Sequence, residues 1–142
     1  MIDHVWTVVC SRAVIDTDSK NVSIQNVLEQ INVAAELSPD FVLGIPYEIV
    51  SFWVRSEAEM PAKGRSRIIL VEPDGNTVPV AEMPIDLAEV ERARHRVYCQ
   101  GLRVTAAGRY VFRMELLEDD QHEWRPVASV PLRVVFTAPK DG

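Results

Sequence analysis

The chain has 142 residues, 47% of them apolar and 25% charged, with a formal net charge of −6 at pH 7. That length suits one domain, residues 1–142, which on folding hides roughly 70% of the surface its extended chain exposes. The composition excludes a disordered solvator and a fibre, and because residues 1–71 hold 9 acids and 6 bases and residues 72–142 hold 12 acids and 9 bases, or −3 each, neither half reads as an arm for nucleic acid.

The amino-terminal stretch MIDHVWTVVCS has no Lys or Arg ahead of its apolar run. The run is about half as long as a secretory core segment, and none in the chain approaches the ~20 apolar residues needed to span a bilayer. A soluble, cytoplasmic protein with no membrane partner is expected. Cys10 and Cys99 are too few for a disulfide scaffold and share no C-x-x-C spacing, so both read as reduced, buried thiols.

Short runs of alternating apolar and polar residues, punctuated by Pro, Gly, Asn and Asp, recur along the chain. They predict eight strands, at about 4–15, 21–33, 45–56, 65–72, 77–83, 93–102, 108–118 and 123–137. Asn26–Val33 has helical spacing, but its β-branched content and the preceding Val22-Ser23-Ile24 alternation favour a strand with a bulge. The third strand is apolar on both faces, with Ile49 and Trp53 on one and Val50, Phe52 and Val54 on the other. A sandwich strand has one face to bury, so Val50, Phe52 and Val54 are a candidate partner surface, covered by another chain or by the apolar 34–44 loop with Leu37, Phe41, Val42 and Leu43.

Glu72-Pro73-Asp74-Gly75-Asn76 predicts a hairpin turn that pairs the fourth and fifth strands, and Glu118–Glu123 predicts a second hairpin between the seventh and eighth. Asp86–Arg92 is the one stretch with a plausible helix cap and allows at most a short helical turn. Prolines 46, 79, 84, 126 and 131 sit within or beside strands, which suits edges and bulges. The expected fold is therefore all-β, a two-layer antiparallel sandwich.

Leu102, Gly108, Tyr110 and Phe112 form L-x5-G-x-Y-x-F, which resembles the corner leading into the sixth strand of immunoglobulin-like sandwiches; Trp53 is similar in place to that family's core Trp. The resemblance implies that the Tyr110 hydroxyl returns to backbone a few residues upstream while Phe112 enters the core. Phe112 stands where antibody-type domains carry a disulfide Cys, which implies a core sealed by packing alone. The stretches Val9-Cys10-Ser11-Arg12 and Asn21–Ile31 are similar to a bacterial family of small β-rich proteins that has no assigned activity, so this likeness implies no functional residues.

Chemistry-bearing patterns are sparse. His4, His95 and His122 share no metal-ligand spacing, and His4 and Cys10 on one strand face lie about 20 Å apart at strand rise. No nucleophile elbow, phosphate loop or dinucleotide fingerprint is present, so neither an enzyme nor a cofactor is expected. Residues 92–114 hold Arg92, Arg94, Arg96, Arg103, Arg109 and Arg113 without one acid. Arg92, Arg94 and Arg96 alternate along one strand face and form a candidate anion patch, although cross-strand carboxylates suffice to explain them.

With simple back-and-forth strands, 11 of the 21 acids gather at one pole, among them Asp16, Asp18, Glu57, Glu59, Asp86, Glu89 and Glu91. These readings combine into a non-catalytic binding or assembly module that self-associates or takes a protein partner, with no nucleic acid. The alternative is a calcium- or metal-dependent binder, or a small enzyme, that uses the acidic pole.

Overall fold

The computed structural model describes residues 1–34 and 41–137, and all its regular structure is extended. Eleven strands follow one another: β1 (Ile2–Ile15), β2 (Val22–Val27), β3 (Gln30–Ala34), β4 (Phe41–Leu43), β5 (Tyr47–Arg55), β6 (Ala62–Val71), β7 (Thr77–Leu87), β8 (Arg92–Cys99), β9 (Leu102–Val104), β10 (Gly108–Glu118) and β11 (Arg125–Thr137). They form a four-stranded sheet of order β2-β1-β5-β8, a five-stranded sheet of order β3-β11-β10-β6-β7 and a two-stranded β4-β9 pair. The all-β sandwich expected from alternation is what forms.

Alternation decides which side chains go inside. In β10, Tyr110, Phe112, Met114 and Leu116 are buried, and in β6, Ile68 and Leu70 join them. From the four-stranded sheet Ile2, Val9, Ile49 and Trp53 complete one continuous core between the two layers. Each such side chain, fully buried, contributes roughly 1.5–3 kcal/mol of hydrophobic stabilisation. Both predicted hairpins form, β6–β7 and β10–β11. The first closes through Gly75, whose φ of +93° a side chain would disfavour.

Four expectations are corrected. The predicted 21–33 strand is two strands: β2 belongs to one sheet and β3 to the other, and the chain changes layer at Leu28 and Glu29, where Leu28 N–H still donates to Val9 O at 2.9 Å. The predicted 93–102 strand likewise divides into β8 and β9. The sandwich is not wholly antiparallel, because β3 runs parallel to β11. The short turn at 86–92 is not helical: β7 continues to Leu87, and Asp86 Oδ1 accepts the Ala88 N–H at 3.0 Å to form a bend.

The Tyr110 corner has the expected geometry. Its hydroxyl donates to Ala106 O at 2.8 Å and accepts the Thr105 N–H at 3.0 Å, four and five residues upstream. Prolines 79 and 84 lie on β7, a sheet edge, where a missing N–H costs no ladder bond.

Candidate functional site

The outer face of the four-stranded sheet carries the residues that the sequence singles out, and it joins them. Val50 stands opposite Arg96, Phe52 opposite Arg94 and Val54 opposite Arg92, so the apolar row of β5 and the arginine row of β8 are neighbours on one surface. Val50 is fully buried and Phe52 and Val54 are half-buried. The described residues of the 34–44 loop do not supply the cover. Leu37 lies outside the described residues, while Phe41 and Leu43 pack against the main core instead.

The cover is the β1–β2 hairpin. β1 pairs with β5 only as far as Cys10, opposite Glu48, and then bends across the face of its own sheet. Glu48 Oε2 accepts the Ala13 N–H at 2.6 Å, Arg96 Nη2 donates to Ala13 O at 2.9 Å, and Arg94 Nη2 donates to Lys20 O at 2.9 Å. Under this arch Cys10, Ala13 and Val50 are buried, with Trp6, Val8, Val22 and Ile24 packed on them. Trp6 and Phe52 stack with ring centroids 5.7 Å apart. Val50, and one side of the Phe52 ring through Trp6, are thus covered from within the chain.

The basic segment 92–114 has mixed fates. Arg96 pairs with Glu48 at 2.9 Å and lies over the Tyr98 ring. Arg113 lies 3.3 Å from Glu115, which also accepts from Arg67 Nε at 2.6 Å, and Arg67 in turn sits over Trp124. Arg92 and Arg94 make no ion pair among the described residues, and neither does Arg109.

Arg109 lines a cavity beside the point where the chain changes layer. It lies directly opposite Arg133 across the β10–β11 ladder, and both are exposed on the outer face of the five-stranded sheet. Like charges at opposed positions repel and lower stability by a few tenths of a kcal/mol up to about 1 kcal/mol. Neither arginine has a carboxylate within ion-pair distance among the described residues. The cleft they line holds about 520 Å³, walled by Val27, Leu28, Val130 and Pro131, with Glu29 as the one acid in its lining. The Arg133 N–H donates to Glu29 O at 3.0 Å, which fixes the chain where it changes layer against the arginine pair. Arg109 was legible as part of a basic segment; Arg133 was not, because only the register of the ladder brings the two together.

The acidic pole is partly real. Arg55 gathers the loops there by donating to the carbonyls of Leu87, Ala58 and Ala88, and its own N–H donates to Glu91 O. The Asp16–Asn21 turn is not among those loops, because its hairpin folds across the sheet to Arg94. No group of three or more His, Cys, Asp or Glu positioned to hold a metal occurs among the described residues.

His4 and His95 are half-buried in the four-stranded sheet, while His122 is exposed in the turn before β11. His4 Nε2 lies 2.6 Å from Thr7 Oγ1, and Thr7, Ser51 and His95 form a row across β1, β5 and β8. Ser51 is 2% exposed and its hydroxyl accepts the Trp53 Nε1–H, so that hydroxyl is closed to solvent, whereas Thr7 and His95 on either side of it are half-buried. Burial lowers the pKa of both His4 and His95 and raises that of the Cys10 and Cys99 thiols. Both cysteines are free. No helix long and apolar enough to cross a membrane occurs among the described residues.

No family model matches the chain, and no curated protein does. Among solved structures it is similar to the Pseudomonas fluorescens alkylpurine DNA glycosylase AlkC bound to DNA containing an abasic site analog, at 11% identity and a TM-score of 0.45, over 94% of this chain and 30% of that one. The chain thus spans under a third of that protein's length. Beside this DNA-bound neighbour, the expectations of a self-associating assembly module with a protein partner and of no nucleic-acid partner do not stand, and neither is carried further. A likeness at this level transfers no activity, ligand or binding mode to this chain.

Proposed function

We propose that this protein binds a small ligand bearing a carboxylate or phosphate in the cleft between Arg109 and Arg133. One observation carries the reading: two exposed arginines are held face to face with no described carboxylate to neutralise them, and both line a cavity of about 520 Å³. An oxyanion between them turns a repulsive pair into two charge-assisted hydrogen-bond donors, and a guanidinium fork can take two oxygens of a carboxylate or a phosphate at once. Val27, Leu28, Val130 and Pro131 give the cleft an apolar wall, so the anion belongs to a molecule with an apolar body. Glu29 disfavours a second negative charge at that edge of the lining.

Isothermal titration with a panel of aliphatic carboxylates and phosphate monoesters tests this reading. Binding that is tighter for an anion with an apolar tail than for acetate or inorganic phosphate, and weakened at least tenfold by Arg109→Gln or Arg133→Gln, is the expected result. Affinities unchanged in both variants overturn it.

A further inference from the structure

We infer that the tip of the β1–β2 hairpin and the start of β8 form a second, independent site, for a phosphate group carried on a planar organic part, as in a mononucleotide. Lys20, Arg92 and Arg94 converge there with Phe52 and Ala93 around a cleft of about 230 Å³. None of the three cations makes an ion pair among the described residues. Arg94 spends one N–H on Lys20 O, which locks the hairpin tip against β8, and Arg92 is exposed beside it. The result is a pre-positioned set of donors with a net positive charge on a protein whose formal net charge is −6.

The backbone supplies a separate observation. Lys20 has φ +64°, the left-handed region that Gly or Asn occupies at least cost. Lys20 N–H donates to Asp16 O at 2.9 Å, which closes the tip. Turn formation alone asks for a small residue here, yet the position carries a long cationic side chain that lines the cleft. Strain kept in this way points to a use for that side chain.

Phe52 identifies the rest of the ligand. One side of its ring is stacked on Trp6, at an interplanar angle of 28°, and the half-buried ring also lines the cleft. A planar group laid on such a ring, with a phosphate held by nearby cations, is the unit by which each nucleotide of a single strand is held without base-specific hydrogen bonds, and this cleft has room for one such unit. The cleft is smaller than the roughly 300 Å³ at which pockets begin to enclose a drug-sized ligand. It takes the phosphate and one ring face and leaves the remainder in solvent. Asp16 and Asp18 lie in the same turn as Lys20 and limit the run of positive surface to this one cleft, so the assignment is to a mononucleotide.

The test is titration of the full chain at low salt with adenosine 5′-monophosphate, inorganic phosphate, adenosine and a ten-nucleotide oligo(dT). Adenosine monophosphate should bind at least fivefold more tightly than inorganic phosphate, with adenosine weaker than both and a change in tryptophan emission from Trp6. Lys20→Gly should raise the melting temperature by about 3 °C as the strain is relieved while weakening adenosine monophosphate at least fivefold. Arg92→Gln, at a side chain with no described partner, should weaken it equally without moving the melting temperature. Unchanged affinity in both variants, or oligo(dT) binding more tightly per molecule than the mononucleotide, overturns the proposal. Arg133→Gln separates the two clefts: it should leave adenosine monophosphate untouched, and loss of binding in that variant would place the phosphate in the other cleft and overturn this one.

Discussion

The carboxylate of Glu48 and the guanidinium of Arg96, on neighbouring strands, together clasp the backbone of a third: Glu48 takes the N–H of Ala13 and Arg96 takes its carbonyl. This clasp replaces the ladder that β1 loses when it leaves β5. Glu48→Ala leaves the Ala13 amide without its acceptor and the largely buried Arg96 guanidinium without its carboxylate, and urea denaturation should show a loss of about 3 kcal/mol. Hydrogen exchange at Ala13 should accelerate well beyond that in β10. Unaltered protection of the Ala13 amide in the variant would show that the arch is held by its apolar contacts alone.

Tyr110→Phe removes one hydroxyl that serves three backbone groups, Ala106 O and the N–H groups of Thr105 and Ala106, and adds no volume. The expected cost is about 1–2 kcal/mol in chemical denaturation, with the strand content by circular dichroism unchanged. A neutral result would mean that water replaces the hydroxyl at the corner.

Arg133→Gln should stabilise the ligand-free protein. It removes a repulsion directly across the ladder, and the gain expected is about 0.5 kcal/mol in the denaturation midpoint at low salt, shrinking as salt screens the pair. A destabilised variant would indicate that the arginine stem contributes packing that outweighs the repulsion.

Stability should fall as pH drops from about 7.5 to 5.5. In the unfolded chain His4 and His95 titrate near 6.5, whereas burial holds both below that value in the folded protein. Above the unfolded pKa both states are neutral and nothing is lost. Below it the unfolded chain takes up protons that the folded chain refuses, so stability declines until the folded pKa values are passed, where the decline levels off. His95→Gln should flatten this slope; a slope identical to the wild type would assign it to other groups.

The fold was legible where local pattern decides it. Period-two alternation in β6, β10 and β11, the Pro-Asp-Gly turn and the G-x-Y-x-F corner each specify a strand or a reversal from a few adjacent residues. What was not legible depends on register and on layer. Nothing local at Leu28-Glu29 announces that the chain crosses from one sheet to the other, and nothing near Ala13 announces that β1 bends over its own sheet. The double-sided apolarity of Val50, Phe52 and Val54 was correctly seen to need a cover, but the cover is a hairpin that begins some forty residues earlier in the chain. The Arg109–Arg133 pair was hidden for the same reason, since it exists only through the alignment of β10 with β11.

β3 finds its ladder partner only in β11, Gln30 against Arg133, so these paired residues lie 103 positions apart. During synthesis β3 therefore waits, unpaired and carrying Ile31 and Val33, until nearly every other strand has left the ribosome. A sheet closed so late should fold slowly, and a nascent chain stalled before β11 offers an open strand edge that chaperones or a neighbouring polypeptide can seize.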